Sequence, residues 1–324
     1  MCGFMVMRCV LKHHVCLCVL STAVLAGLTL ITAQTKVYAQ SKNCNGFTNP
    51  GATGEPGGRK GDNPNGKIEC DGGYGGTGGN GDRNGQLGGE RTIDMDTDPK
   101  PAVKVHKGAD ITINSKLTVT DSKSKSTSPA IQVESGGVLR LSGHVTIQNV
   151  KKGIEVGQGS SVTVLKGSIG VRAGGGAVIE VQNGGEVTLS RGVTVEKVSG
   201  TGEVISINNG GNVMLGGTRF MGVNKGIVFK GSKGTANATV MGVGGATINL
   251  AHGGTGVIME GREGANATVM ELNIKGSGGT TTGAEVTGEG TLVLNKVKIS
   301  QVQMGAKVTK GKLTVTGGIN DYGR

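Results

Sequence analysis

Two glutamates, Glu155 and Glu180, hold the same place in successive copies of a short repeat, GIEV and VIEV. If these copies stack as neighbouring strands, the two carboxylates lie about 4.8 Å apart. That separation is near the roughly 5 Å between the two carboxylates of retaining glycosidases. Two adjacent cations, Lys151 and Lys152, support another interpretation, in which both glutamates belong to a solvated ionic face. We favour the ionic face and predict no catalytic residue.

Other residues that could carry chemistry are isolated along the chain. His144 and His252 have no nearby acid that would complete a relay with a serine. Asn80 and Asp82 begin like a calcium loop, but its twelfth position is Arg91 instead of an acid. From residue 102 onward the aspartates are too few to form a pair within the coil: Asp110, Asp121 and Asp321. We therefore predict no metal and no cofactor.

These residues must be positioned by a repeat that runs through most of the chain. A mainly apolar tetrapeptide returns about every 22 to 30 residues, a period typical of solenoids. A second pattern, rich in Val, Ile, Leu and Thr, follows each copy, so each repeat is predicted to hold two or three short strands. The tetrapeptides are AIQV from Ala130, GIEV from Gly153, VIEV from Val178, VISI from Val204, GIVF from Gly226, GVIM from Gly256, GAEV from Gly283 and GAKV from Gly305.

Side-chain alternation along a strand makes the repeat testable. The second residues of the tetrapeptides are predicted to form one inward column: Ile131, Ile154, Ile179, Ile205, Ile227, Val257, Ala284 and Ala306. The fourth residues are predicted to form its inward neighbour: Val133, Val156, Val181, Ile207, Phe229, Met259, Val286 and Val308. The third residues are mixed in polarity and are predicted to point outward: Gln132, Glu155, Glu180, Ser206, Val228, Ile258, Glu285 and Lys307.

The fold class that fits this pattern is all-β, a single-stranded parallel β-helix of about nine turns. No helical stretches alternate with the strands, so a helix-connected parallel sheet is not expected. We do not expect neighbouring strands to be joined by hairpin turns of the Asn-Gly kind, which disfavours an antiparallel sandwich. At about 4.8 Å per turn, the coil would form a rod on the order of 40 Å long.

The N-terminal segment, residues 1–39, has the features of a signal peptide. Arg8 and Lys12 precede an apolar run, and Val37-Tyr38-Ala39 presents small residues at a signal-peptidase site, which predicts cleavage before Gln40. An uncleaved membrane anchor is the alternative. We expect three regions, namely this signal peptide, a leader over residues 40–101 and a coil over residues 102–324.

The leader is irregular and rich in Gly and Asn. Such a composition buries too little apolar surface to fold alone, so the leader is either a flexible arm or a cap over the first turn. Cys44 and Cys70 flank its glycine-rich segment, and in an exported chain they are predicted to form one disulfide. Closing this loop would contribute about 3 kcal/mol.

The formal net charge of +11 permits attraction to polyanions. Basic residues are spread along the chain and aromatic residues make up only 2%, so neither nucleic acid nor a small-molecule substrate is expected. Contact with an anionic glycan is the hypothesis that we retain, with a solvated basic face as the alternative. The candidate polyanion contacts are Lys151, Lys152, Lys166, Arg172, Arg191 and Lys197.

A family resemblance covers nearly the whole chain. The segment MVMRCVLKHHVCLCVLSTAVLAGLTLITAQTKVYAQ, the glycine-rich leader with its two cysteines, and the GGEVTL and GGGAVIEV coils resemble the autotransporter passengers of Bartonella. The resemblance implies a right-handed parallel β-helix of the pertactin and pectin-lyase kind. It also implies an outer-membrane barrel as translocator. No aromatic residue lies between Phe229 and Tyr322, whereas such barrels carry aromatic girdles, so we expect the translocator to be missing and the passenger truncated.

The same resemblance implies a place of action and a role. We expect the chain to be exported through the inner membrane to the cell surface, the outer membrane or the medium. There it is expected to act as a non-catalytic adhesin or virulence surface, with a host-cell surface protein or an anionic glycan as partner. Two alternatives stay open, a released effector that binds a host-cell receptor and a β-helix polysaccharide lyase or hydrolase.

Overall fold

The computed structural model describes residues 44–45, 66–71, 86–95, 100–197, 202–231 and 236–317. These residues form no helix, and their strands join into one hydrogen-bonded parallel solenoid of about eight turns. The predicted all-β parallel coil is therefore confirmed, with about eight turns where about nine were expected. The signal-peptide prediction for residues 1–39 and the calcium-loop residues Asn80 and Asp82 lie outside the described residues.

The first thirteen strands lead from the leader into the middle of the coil. They are β1 (Cys44–Asn45), β2 (Ile68–Asp71), β3 (Gln86–Leu87), β4 (Arg91–Asp94), β5 (Val103–His106), β6 (Asp110–Ile113), β7 (Leu117–Thr120), β8 (Pro129–Val133), β9 (Val138–Val150), β10 (Lys152–Val156), β11 (Ser161–Val171), β12 (Ile179–Gln182) and β13 (Gly185–Lys197).

The remaining strands continue the same pairing to the last described turn. They are β14 (Glu203–Asn208), β15 (Gly211–Gly216), β16 (Arg219–Lys230), β17 (Asn237–Val243), β18 (Thr247–Met259), β19 (Asn266–Met270), β20 (Asn273–Lys275), β21 (Thr282–Val286), β22 (Thr291–Asn295), β23 (Lys298–Ser300), β24 (Met304–Val308) and β25 (Lys312–Thr316).

Each turn of the solenoid has three faces. The first face carries the tetrapeptides, as in β8, β10, β12 and β14. The second face contains β6, β15 and the beginnings of β9, β11 and β13, whereas the ends of those three long strands form the third face with β7. A register shift between Val164 and Lys166 lets β11 bend where the second face meets the third.

The two predicted inward columns are present on the first face. Ile154 pairs with Ile131 on one side and with Ile179 on the other, and the same register continues turn by turn to Ala306. Nearly all members of both columns are buried in one continuous apolar core. Ala306 and Val308 lie in the last described turn and are more open, with Val308 49% exposed.

The predicted outward row alternates in direction as expected, but its middle is not solvated. Ser206, Val228 and Ile258 occupy three successive turns, and each side chain is at most 5% exposed. Val228 and Ile258 are buried without belonging to the contiguous core. The outward row is therefore polar and solvent-accessible toward its two ends, whereas its middle members are buried.

The coil begins earlier than the sequence indicated. Ile68 pairs with Val103, which pairs with Ile131, so the first inward column extends into the leader before residue 102. Cys70 likewise pairs with Val105 and is fully buried, which places a half-cystine in the second inward column.

The predicted disulfide is present between Cys44 and Cys70. It joins the only antiparallel pair among the described strands, β1 with β2. Because Cys70 occupies the end of an apolar column, the cross-link fixes a short strand across the N-terminal end of the described core.

Reducing this disulfide is expected to destabilise the first turns by about 3 kcal/mol, since the bond closes a loop with a sequence separation of 26 residues. Amide hydrogen exchange with and without a reductant would measure the effect. We expect faster exchange in β2 and β5 and unchanged exchange in β19 and β22, because a solenoid transmits stability mainly between neighbouring turns. A Cys44→Ala/Cys70→Ala variant should not respond to the reductant. Unchanged protection of β2 in the reduced wild type would contradict the prediction.

Candidate polyanion-binding site

Glu155 and Glu180 lie in register on adjacent strands of the first face. The Nζ atom of Lys152 lies between them, 3.5 Å from an oxygen of Glu155 and 3.2 Å from an oxygen of Glu180. The other carboxylate oxygens also have donors. Gln132 donates to Glu155 at 3.1 Å, and Asn208 donates to Glu180 at 3.0 Å. The arrangement is a ladder of satisfied polar side chains across neighbouring turns.

The surroundings of Lys152 shift its pKa. Partial burial lowers the pKa, but the carboxylates of Glu180 and then Glu155 raise it more strongly, so the net shift is upward from 10.5. A raised folded-state pKa means that the charged lysine stabilises the fold at all pH values below the unfolded pKa. This contribution is lost as the pH rises through the folded pKa, in the alkaline range above about 10.5.

Replacing Lys152 with methionine is expected to lower the free energy of unfolding by about 1 kcal/mol, the upper range for partly exposed ion pairs. The change leaves two neighbouring carboxylates without the cation between them, so adding Glu180→Gln should restore most of the loss. Urea unfolding at neutral pH would measure both effects, with Lys151→Met as the matched control. Equal stability of the Lys152 and Lys151 variants would contradict the bridging role.

Arg172 is also engaged in the interior of the fold. Its Nη1 donates to Oδ2 of Asp121 at 2.6 Å, and Asp121 is fully buried. Its Nη2 donates to the carbonyl oxygen of Ser126 at 3.1 Å. The guanidinium therefore fastens the loop after β7 onto the end of β11, two turns later in the chain. This side chain is 18% exposed and points its charge at a carboxylate, not at solvent.

The six candidate contacts therefore do not form one surface. Lys152 and Arg172 have acidic partners, and Lys151 is half-buried beside β10. The side chain of Lys197 lies outside the described residues. Lys166 and Arg191 are exposed, and both lie at the corner between the second and third faces.

This corner gathers two further residues that the sequence did not indicate as contacts. Lys166 is in register with His144 on the preceding turn. Lys116 immediately precedes Leu117, which pairs with Val145, so Lys116 lies one turn before His144. All four side chains are exposed. We call Lys116, His144, Lys166 and Arg191 the basic corner.

Two glycines, Gly192 and Gly217, let the turns at the basic corner approach closely and so position Arg191. A Cβ atom at Gly192 would lie 3.0 Å from the Cβ of Lys166, so the two turns approach closely there. A Cβ atom at Gly217 would lie 3.2 Å from the Cγ of Arg191. The aliphatic part of Arg191 therefore lies over the backbone of the next turn, and its guanidinium continues the line of cations.

The basic corner lacks acidic partners within the part of the chain that the structure describes. None of its four side chains takes part in an ion pair there. Several cations elsewhere on the coil pair with an acid on a neighbouring turn, as Lys104 does with Glu134 at 2.9 Å and Lys307 with Glu285 at 2.8 Å. The corner is thus a local excess of positive charge.

A row of hydroxyl groups runs beside the basic corner on the third face. Thr118, Thr146, Ser168 and Thr194 pair in register on successive turns, and each is half-buried. Hydroxyl groups both donate and accept hydrogen bonds. The sequence contains only part of the signal for the basic corner. Each corner residue stands near the start of a third-face strand, but the corner loops differ in length, so the repeat period does not align these residues.

The described residues contain neither a candidate metal cluster nor a candidate membrane-spanning helix. No group of three or more His, Cys, Asp and Glu side chains is placed there to hold a metal ion. Nor does that part of the chain contain a helix long and apolar enough to cross a membrane.

Comparisons of the chain with protein-family models, curated proteins and solved structures gave no match. The fold and the site together define a parallel β-solenoid with an exposed basic corner that has no ion-pair partner among the described residues.

Proposed function

We propose that this chain is an autotransporter-type passenger that serves as a non-catalytic contact surface toward host cells. The observation that carries the proposal is the separation of roles between rows of the coil. The inward columns stay apolar from turn to turn, whereas the solvent-accessible members of the outward row change from amide to acid to base. Such a scaffold lets exterior residues vary without loss of the core. The resemblance to Bartonella passengers supplies the class of partner.

Export is the first part of the proposal. A disulfide that closes the N-terminal end of the described core suits an oxidising compartment. Expression of the full chain in bacteria, followed by fractionation and N-terminal sequencing, tests it. We expect a product outside the cytoplasm that begins at Gln40. A product that keeps its N-terminus and its reduced cysteines in the cytoplasm would contradict export.

Host contact is the second part. The exported product is incubated with cultured endothelial cells, and bound protein is quantified after washing. We expect saturable binding to the cell surface, with a heat-denatured sample as control. A response of the cells without retention on their surface would favour the alternative of a released effector. Neither binding nor response would contradict host contact.

The enzymatic alternative is favoured by one observation, the register of Glu155 with Glu180. Against it, Lys152 contacts both carboxylates and the remaining oxygens accept amide hydrogen bonds. Incubation with acidic and neutral polysaccharides, with measurement of new reducing ends, separates the two proposals. Product formation that disappears in the Glu155→Gln/Glu180→Gln variant would establish glycan cleavage and overturn the non-catalytic proposal.

A further inference from the structure

We propose that the basic corner binds a linear sulfated polysaccharide that lies along the solenoid axis. The inference rests on the proposed function, because it names the partner of the host-contact surface. Of the six sequence candidates it keeps Lys166 and Arg191, and it adds Lys116 and His144 to the site. It removes Lys152 and Arg172. Those two cations already have carboxylate partners at 3.5 Å or less.

The charges of the basic corner are available to an anionic ligand. Some cations on this coil are paired with an acid, and such a pair has little remaining attraction for a ligand. The corner cations have no such partner among the described residues. An anion can therefore bind at the corner without first breaking an ion pair.

The basic corner has a linear shape. Strands of successive turns lie about 4.8 Å apart, so Lys116 to Arg191 spans three spacings, or about 14 Å. Lys116, Lys166 and Arg191, with His144 between the first two, form a line along the axis. A linear chain with regularly spaced anions matches a line of this kind better than a broad or globular anion does. The row from Thr118 to Thr194 beside the line offers hydroxyl groups to sugar hydroxyls and sulfate oxygens.

The lack of aromatic residues in this part of the sequence favours a glycan over nucleic acid. Proteins that bind single strands stack the bases on aromatic side chains. No aromatic residue lies between Tyr74 and Phe220, a range that includes the whole corner. A sulfated glycan has no bases to stack and needs only cations and hydrogen-bonding groups. The observations therefore favour the glycan, and binding of nucleic acid becomes an outcome of the test.

The experiment measures binding of the exported product to a heparin oligosaccharide by calorimetry at two salt concentrations. The site variant is Lys116→Gln/Lys166→Gln/Arg191→Gln. The matched control is Lys104→Gln/Lys225→Gln/Lys307→Gln, which removes the same charge from lysines paired with Glu134, Glu260 and Glu285. Circular dichroism and thermal unfolding verify that both variants fold.

We expect each single site substitution to weaken heparin binding about threefold to fivefold, which corresponds to about 1 kcal/mol or less per exposed contact. The triple site variant should lose about 30-fold to 100-fold, and the control triple less than threefold. Glu90 lies one turn before Lys116, since Arg91 pairs with Leu117. Glu90→Lys should extend the line and tighten binding about threefold. Added salt should weaken wild-type binding more than binding of the site variant.

Equal losses in the two triple variants would show attraction by net charge alone and overturn the site. Unsulfated heparosan that binds as tightly as heparin would overturn the requirement for sulfate. A single-stranded DNA oligonucleotide that binds more tightly than heparin through the same residues would replace the glycan with nucleic acid. If the site variant loses heparin but still binds endothelial cells, the inference about the host partner fails while the proposed function stands. If heparin binds and cells do not, the proposed function fails.

Discussion

Replacing Arg172 with leucine is expected to lower the free energy of unfolding by about 3–5 kcal/mol. The substitution removes the cation that contacts the carboxylate of Asp121, whose side chain is 0% exposed. The carboxylate would keep only the backbone amides of Lys125 and Ser126, at 3.1 and 3.0 Å. A buried charge without its partner costs far more than the loss of an exposed ion pair.

Urea unfolding followed by circular dichroism measures this loss, with Arg140→Leu as the matched control. Arg140 also bonds to an aspartate, Asp110, but its side chain is 49% exposed, so its removal should cost less than about 1 kcal/mol. Arg172→Lys keeps the charge but loses the second donor to Ser126, and we expect an intermediate loss. Similar small losses for Arg172→Leu and Arg140→Leu would show that Asp121 does not depend on its partner.

Replacing Phe229 with alanine is expected to cost about 3–5 kcal/mol, because a large buried side chain leaves a cavity that a rigid stack of strands cannot close. Phe229 is 2% exposed and lies in register between Ile207 and Met259 on the neighbouring turns. The loss of packing should therefore destabilise those two turns most.

The matched control is Met214→Ala, an outward side chain that is 46% exposed and should change stability by no more than about 0.5 kcal/mol. Hydrogen exchange adds a spatial readout. Protection should fall in β14, β16 and β18 and stay near wild-type values in β5 and β8, since each turn contacts mainly its neighbours. A uniform loss of protection along the coil would mean that the described solenoid unfolds as one unit, contrary to this expectation.

The inward columns could be predicted residue by residue because the fold repeats along its axis. When one turn stacks directly on the next, equivalence in the sequence becomes contact in space, and the apolar pattern alone fixes the pairing. Ile154 beside Ile179 and Val156 beside Val181 are examples. The same logic predicted the register of Glu155 with Glu180 but not Lys152 between them, because long side chains reach across turns in ways that the period does not specify.

Turn geometry is a case where local sequence is ambiguous. Asn183-Gly184 and Asn209-Gly210 have positive φ at both residues, as in the two-residue turns that close hairpins. Here they carry the chain from the first face to the second, and the next strand pairs with a later turn in parallel. The dipeptide permits a tight bend, but the partner of the following strand decides what the bend connects.

The grouping of the charged residues also could not be predicted from the sequence alone. In the sequence the basic residues are spread along the chain, yet the fold brings Lys116, His144, Lys166 and Arg191 to one corner and buries the charge of Arg172 against Asp121, 51 residues away. Corner loops vary in length from turn to turn, so their positions do not follow from the repeat. The lack of ion-pair partners for these four side chains among the described residues is likewise a property of the assembled turns.

The sequence by itself determined the all-β class, the parallel stacking, the inward columns and the cysteine pair. Each of these features follows from the periodic alternation of apolar and polar residues or from the residue type. Both act within one turn or between equivalent positions of successive turns. Only the tertiary structure decided the earlier start of the coil, the partners of Lys152 and Arg172, and the basic corner. Those features depend on distances between non-equivalent residues, and such distances exist only once the turns are stacked.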